Sequence, residues 1–226
     1  MKLEPIIDKI LLEESQEKHK RSGLYSPSSF GRCFRYQYWH MLDVPKTNFS
    51  DAQALRVMSN GKIIHRWIQN IIKKQYPEAI LEEEVTTHDC HTFIDVVLPD
   101  RAIEIKTCHP WMFKHMEKGD FILSRDQKPH FLQVVHGAMV TDKDYAQLIY
   151  IERQNLLMKE FIIPITGETA WKVDEELATL REIKIKNWLP EPIPRAFEGK
   201  ECCWGKKNDK FCPYYNKCKG VSNDRQ

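Results

Sequence analysis

The sequence predicts a mixed α/β fold, a central mixed sheet flanked by helices, and three observations carry that expectation. Apolar residues at helical spacing fill much of the first third of the chain, a stretch past its middle and another towards its end. Between them lie two groups of short alternating runs rich in Ile, Val, Thr and Phe. No internal repeat or low-complexity segment interrupts the order helix, strands, helix, strands, helix.

The first helix is expected from Pro5 to about Lys18, where apolar residues recur at helical spacing. In "SPSSFGRCFRYQYWH" Ser26 is a candidate N-cap with Pro27 at the first helical position, which predicts a second helix carrying Cys33. The longest pattern runs from about Asp51 to Gln75, with Leu55, Met58, Ile64, Trp67, Ile68, Ile71 and Ile72 as its apolar face. Gly61 lies four residues before His65, so its missing side chain is expected to leave space beside the imidazole. Three strands follow, "AILEEEVTT", "HTFIDVVL" and "RAIEIKTC", the last two joined by Pro99 and Asp100 as an antiparallel hairpin. An irregular stretch containing "HPWMFKHMEKGD" leads to a helix from near Pro129 to near Thr141. The strands "YAQLIYIER" and "MKEFIIPI" come next, then a helix over roughly Glu168 to Trp188 and a Pro-punctuated tail.

At 226 residues the chain has room for one core with an appendage, given roughly 150 residues per domain. A single domain over 1–226 is therefore expected, with a helical part over 1–50 that carries Cys33. The core is placed at 51–166, and the final helix and cysteine-rich segment at 167–226. A hydrophobic fraction of 42% beside 29% charged residues describes a soluble globular protein, and no apolar run approaches the roughly 18 residues of a bilayer span. "MKLEPIIDKILLEESQEK" is broken by acids and lacks a small-residue cleavage site, so it reads as an amphipathic helix rather than a signal peptide, and a cytosolic protein is expected. The net charge of +2 argues neither for nor against a polyanionic partner, because clustering matters more than the total.

The hairpin carries the chemistry. If its loop is symmetric about Pro99 and Asp100, Asp95 falls opposite Glu104, and Lys106 projects from the same face as Glu104. Like charges facing one another destabilise a strand pair, and a bound cation removes that penalty. A lone Glu-x-Lys pair is ordinarily the solvated face of a strand; a three-residue loop in place of the symmetric four-residue one would also offset the carboxylates. With His65, however, Asp95, Glu104 and the Ile105 carbonyl make a ligand set for Mg²⁺ or Mn²⁺. A metal there could polarise a phosphodiester and acidify a bound water, with Lys106 orienting that water or balancing developing charge.

Seven cysteines without an export signal disfavour a disulfide framework and favour free thiols or metal ligands. Cys33 and the C-terminal "ECCWGKKNDKFCPYYNKC", with Cys202, Cys203, Cys212 and Cys218, are candidates for one site that takes zinc or an iron–sulfur cluster. Cys90 and Cys108 read as small buried residues.

Taken in order, "SPSSFGRCFRYQYW", "GKIIH", "FID", "EIK", Gln133 and the cysteine trio resemble the RecB-like nucleases of the PD-(D/E)xK superfamily. More narrowly, they resemble the iron–sulfur branch, which includes CRISPR-associated adaptation exonucleases, AddB-type nuclease domains and phage exonucleases. The resemblance implies a restriction-endonuclease-like sheet with a cysteine-cluster cap joining the two ends of the chain. It implies that His65, Asp95, Glu104 and the Ile105 carbonyl bind Mg²⁺ or Mn²⁺. Asp95, Glu104, Lys106 and Gln133 would be the catalytic set, with Lys106 serving the attacking water and Gln133 positioning the site or the DNA. It also implies a [4Fe–4S] cluster on Cys33, Cys203, Cys212 and Cys218, zinc being the alternative and Cys202 the alternative to Cys203. The implied activity is metal-dependent cleavage of DNA, exonucleolytic, on single strands or ends and 5′ to 3′. Its setting would be recombination, repair, replication or phage and CRISPR DNA processing in the cytoplasm of a prokaryotic or phage-infected cell. Gly137 stands where such relatives carry a tyrosine, and Phe93 and Ile94 where they carry a glycine.

Arg32, Arg35, Tyr36, Tyr38 and Trp39, with Lys206, Lys207, Lys210, Lys217 and Lys219, combine cations and aromatic rings as a single-strand channel needs. The same aromatics could be core and the lysines a solvated face. No Gly-rich phosphate loop is present, so unwinding would fall to a helicase, recombinase or other partner. A structure-specific endonuclease or a non-cutting DNA-end-binding subunit would carry the same motifs.

Overall fold

The two strand groups combine into one five-stranded sheet of order β1-β2-β3-β4-β5. Its strands are β1 Ile80–Thr86, β2 His91–Val97, β3 Arg101–Cys108, β4 Tyr145–Glu152 and β5 Met158–Pro164. β3 and β4 run parallel and every other pair is antiparallel, so the sheet is mixed. This computed structural model describes residues 2–16, 21–191 and 212–220, without the side chain of residue 219. The helices are α1 Glu4–Gln16, α2 Phe34–Met41, α3 Ala52–Gln75, α4 Pro110–Met116, α5 Leu123–Asp126, α6 Lys128–Val140, α7 Gly167–Lys186 and α8 Tyr215–Lys219. Among the described residues no helix is long and apolar enough to cross a membrane.

The chain divides into two compact units. One lies within Leu24–Gly31 and Gly61–Arg181, the other within Met1–Gly23, Arg32–Asn60 and Glu182–Gln226. α3 and α7 each contribute one part to each unit.

In the sheet unit, Ile64 and Ile68 of α3 pack with Val96, Leu98, Ile103, Ile105, Ile149 and Ile151. Each such side chain contributes roughly 1.5–3 kcal/mol on leaving water. Side chains alternate along a strand, so Ala102 and Glu104 point to the other side, where α6 packs with Gly137 against Ile94 and Ala102. β4 is covered on both faces and buried from Ala146 to Glu152, as a central strand requires. Only Ile64, Ile68 and Gln69 of α3 are buried; Trp67 and Ile71, expected on its apolar face, are exposed.

In the helical unit, Asp51 Oδ1 accepts the Ala54 N–H at 2.8 Å and opens α3. Arg56 joins α3 to α1 through Asp8, and Glu4 lies 3.7 Å away. Tyr38 donates to Asn187 Oδ1 at 2.6 Å, and Arg35 Nε to the Pro190 carbonyl at 2.6 Å. The Thr47 N–H donates to the Pro213 carbonyl at 2.7 Å, and the Asn216 N–H to Asn48 Oδ1 at 3.0 Å.

Three local expectations are corrected. Ser26 and Pro27 start a single 3-10 turn, Pro27–Ser29, because Gly31 at φ +69° cannot continue a helix. Cys33 therefore stands at the N-cap of α2 rather than within a helix. The stretch taken as irregular holds α4 and α5: His109 Nδ1 accepts the Trp111 N–H at 3.2 Å, and Pro110 occupies the first turn. Of the two readings open for the aromatics, Tyr38 and Trp39 take the core one, since both are buried.

Candidate functional site

The hairpin pairs Val96 with Ile103 and Val97 with Ala102, and the Leu98 N–H closes the turn on the Arg101 carbonyl at 2.8 Å. This is the symmetric register, in which Asp95 and Glu104 are the next opposed positions. The β2–β3 ladder stops there, while β3 stays paired to β4 as far as Cys108. In place of the next ladder bond, Asp95 Oδ2 accepts the Ile105 N–H at 2.6 Å. The second half of β3 is approached by α3 instead of β2: a Cβ at Gly61 would lie 3.2 Å from Thr107 Oγ1. Gly61 thus permits contact between helix and strand, where the sequence suggested space beside His65.

On the other side of β2, the pairs Leu81 with Val96 and Glu83 with Ile94 leave Glu82 opposite Asp95 without a ladder pair. Glu82 adopts φ +52°, left-handed and uncommon for a strand glutamate. Carboxylates from three adjacent strands, Glu82, Asp95 and Glu104, therefore occupy successive opposed positions.

His65 Nε2 lies 2.6 Å from Asp95 Oδ2, and its Nδ1 lies 3.7 Å from Glu82 Oε1. Gln69, one helical turn after His65, donates from Nε2 to Glu82 Oε1 at 2.5 Å and to the Asp95 carbonyl at 2.9 Å. Glu104 Oε1 accepts from Lys106 Nζ at 2.5 Å and from Gln133 Nε2 at 2.8 Å. Burial pushes the Glu104 carboxyl up to about 7; Asp95 adds to the shift, and Lys106 and His65 oppose it. Burial alone would lower the His65 pKa, but its hydrogen bond to Asp95 and the charges of Asp95, Glu82 and Glu104 raise it overall.

His65, Asp95, Glu104, Lys106 and Gln133 are thus brought together, and the Ile105 carbonyl belongs to the same strand segment. Among the described residues, one group of metal-ligating atoms lies within 4.8 Å of one another: His65, Glu82 and Asp95. One imidazole nitrogen with carboxylate oxygens suits Mn²⁺, and the carboxylates suit Mg²⁺. Glu82 and Gln69 escaped sequence reasoning. The one available signal was Gln69's place four residues after His65, on the same helix face. Tyr150 is a further neighbour: it aligns with Lys106 across β3 and β4, and its hydroxyl lies 2.6 Å from His130 Nδ1. At Gly137 a Cβ would make ordinary van der Waals contact with Ile94 at 3.4 Å.

In the helical unit, Cys33, Cys212 and Cys218 line one small cavity with Arg35, Tyr36, Trp39 and Tyr214. Arg35 Nη1 donates to Cys218 Sγ at 3.8 Å. Cys202, Cys203, Lys206, Lys207 and Lys210 lie outside the described residues, as does the side chain of Lys219. Cys90 and Cys108 are buried, and burial pushes the Cys108 thiol up to about 11.

No protein-family model and no curated protein matches the sequence. Solved structures do match. The crystal structure of SSO0001 aligns over 97% of this chain and 97% of that chain, with TM-score 0.54 at 17% identity. The alkaline exonuclease LHK-Exo from Laribacter hongkongensis aligns over 74% of this chain and 93% of its own, with TM-score 0.48 at 12% identity. A phage-related exonuclease from Haemophilus somnus 129PT aligns over 57% of this chain and 71% of its own, with TM-score 0.43 at 14% identity. The likeness to SSO0001 establishes a shared fold.

Proposed function

We propose that the chain is a divalent-metal-dependent deoxyribonuclease, an exonuclease acting on single-stranded DNA or DNA ends with 5′ to 3′ polarity. The observation that carries this reading is the split in the β2–β3 ladder, where His65, Asp95, Glu104, Lys106 and Gln133 converge. A buried carboxylate pair is costly for a fold that has no cation to place between its members.

In this reading His65 through Nε2, Asp95, Glu104 and the Ile105 carbonyl hold Mg²⁺ or Mn²⁺. The bound ion supplies polarisation of the phosphodiester and a more acidic attacking water. Lys106, beside Glu104 Oε1, orients that water and balances charge as the new P–O bond forms and the bond to the leaving oxygen breaks. Gln133 fixes the Glu104 carboxylate from α6.

A surface cavity of about 500 Å³, lined by Trp111, Lys114, His115 and Lys118, supports a single-strand substrate. Trp111 is 64% exposed on α4, which offers a base a stacking face beside two cations. Trp111 is five residues beyond Lys106, so the two backbones lie at most ~18 Å apart, a reach of a few nucleotides.

The reading includes a [4Fe–4S] cluster on Cys33, Cys203, Cys212 and Cys218. Three of these thiols, Cys33, Cys212 and Cys218, line one cavity, which supports a shared site. Four thiolates suit a [4Fe–4S] cluster, with a tetrahedral zinc as the alternative. Recombination, repair or phage and CRISPR DNA processing, with a helicase or recombinase as partner, is the setting this activity suits.

End-labelled linear and closed circular DNA, incubated with the protein in Mg²⁺, Mn²⁺ or chelator, tests the reading. Metal-dependent loss of linear DNA alone supports it. Cutting of closed circles would make the enzyme an endonuclease, and DNA binding without cutting at any metal would make it a binding subunit.

A further inference from the structure

We propose that Glu82 is the positioning residue of the metal centre: it accepts the His65 Nδ1 proton and thereby leaves Nε2 free to bind the cation. The inference rests on the metal-centre reading above.

A neutral imidazole carries one proton, and the nitrogen that holds it cannot bind a metal. The two ring nitrogens of His65 face different carboxylates. Nε2 points at Asp95 Oδ2, 2.6 Å away, on the side where Asp95 also takes the Ile105 N–H. Nδ1 lies 3.7 Å from Glu82 Oε1. Closing that gap by about 0.8 Å makes an ordinary hydrogen bond. A cation that takes Nε2 moves the ring's proton to Nδ1, where Glu82 is the carboxylate in position to receive it.

Glu82 is held there by more than proximity. Its place opposite Asp95 follows from the β1–β2 register, and its φ of +52° interrupts the ladder at that one point. A non-glycine residue keeps that conformation only where its surroundings impose it. Gln69 supplies the restraint, since its Nε2 donates both to Glu82 Oε1 and to the Asp95 carbonyl. Gln69 is buried and one helical turn from His65, so a single helix face carries the ring and the bracket for its carboxylate. A glutamate that only solvated the edge of the sheet would need neither the left-handed backbone nor a buried partner.

Two readouts on the full-length chain decide the matter. Mn²⁺ binding is measured calorimetrically, and the His65 tautomer is read by nitrogen-15 NMR with diamagnetic Mg²⁺ bound. With Mg²⁺, His65 is expected to carry its proton on Nδ1. Glu82→Leu is expected to weaken Mn²⁺ binding about 10- to 100-fold at unchanged stoichiometry. Glu82→Gln, whose amide oxygen still accepts the Nδ1 proton, is expected to restore most of that affinity. Unchanged affinity in Glu82→Leu, equal damage from Glu82→Gln, or metal on Nδ1 would overturn the inference while leaving the metal centre in place. Absence of Mn²⁺ binding by the unaltered chain would overturn the metal-centre reading, and this inference with it.

Discussion

The carboxylate centre of the sheet unit and the thiol site of the helical unit are assembled in opposite ways. Asp95, Glu104 and Glu82 stand where strand register puts them, and each is already held by protein donors: Ile105, Lys106 with Gln133, and Gln69. Cys33, by contrast, is the N-cap of α2, Cys212 precedes the five-residue α8, and Cys218 lies within it, 3.8 Å from Arg35 Nη1. The difference teaches that strand register sets the first site, whereas the second joins segments far apart in the chain, and in the proposed reading a bound cluster would tie them together. If the proposal holds, losing the metal should cost the sheet unit its chemistry, and losing the cluster should cost the helical unit its structure.

The largest effect expected is on turnover. Glu104→Ala should lower metal-dependent DNA degradation by about 10³-fold or more, and Glu104→Gln, which keeps the side-chain volume and an acceptor for Lys106, should lose activity likewise while staying folded. Undiminished turnover would dissolve the distinction between the two sites. Cys33→Ala should act the other way round, bleaching the visible absorbance of anaerobically purified protein. It should also destabilise by about 2 kcal/mol or more, a fall of roughly 4–8 °C. A colourless protein with bound zinc would replace the cluster without touching the sheet site.

Next comes a pH effect confined to the sheet unit. The Glu104 carboxyl rises from 4.5 to about 7, so between these values the native state holds a proton that the unfolded chain releases. Its contribution is therefore fully present below about 4.5 and declines as pH climbs towards 7, by on the order of 2–3 kcal/mol in the metal-free protein. His136, pushed down to about 4 by burial, has the opposite sign, since its contribution is lost as pH falls from 6.5. Denaturant midpoints of the unaltered chain minus those of Glu104→Gln isolate the Glu104 component; a flat difference would refute it. The smallest effect belongs to the surface. Trp111→Ala should weaken single-stranded oligonucleotide binding by roughly 1–3 kcal/mol, read by fluorescence anisotropy, without changing metal affinity.

Much of this was legible in the sequence, and the limits have physical causes. Asp95 and Glu104 could be opposed on paper because Pro99 and Asp100 make a short turn, and a short turn sets register over the residues beside it. Glu82 could not, since "THDC" between β1 and β2 specifies no turn type, and one residue of slip moves every side chain to the other face. Its left-handed backbone has no local signal either: Glu82 sits inside "EEEV", an ordinary strand run. His109 and Pro110 did carry a helix start, but "WMFKHM" is too short for its periodicity to declare itself, so α4 was read as irregular. Cys33 was misplaced because Ser26 and Pro27 resemble a full helix start, while Gly31 ends the turn within a few residues. Gln133 entered through its resemblance to known nucleases, and its bond to Glu104 depends on how α6 packs, which no local pattern encodes.

The central claim is that the split between β2 and β3 holds a divalent cation. Anomalous diffraction from crystals grown with Mn²⁺ tests it most directly. The account predicts one peak at coordination distance, roughly 2.1–2.3 Å, from His65 Nε2 and from carboxylate oxygens of Asp95 and Glu104. Mn²⁺ elsewhere on the protein, with that split empty, would contradict it.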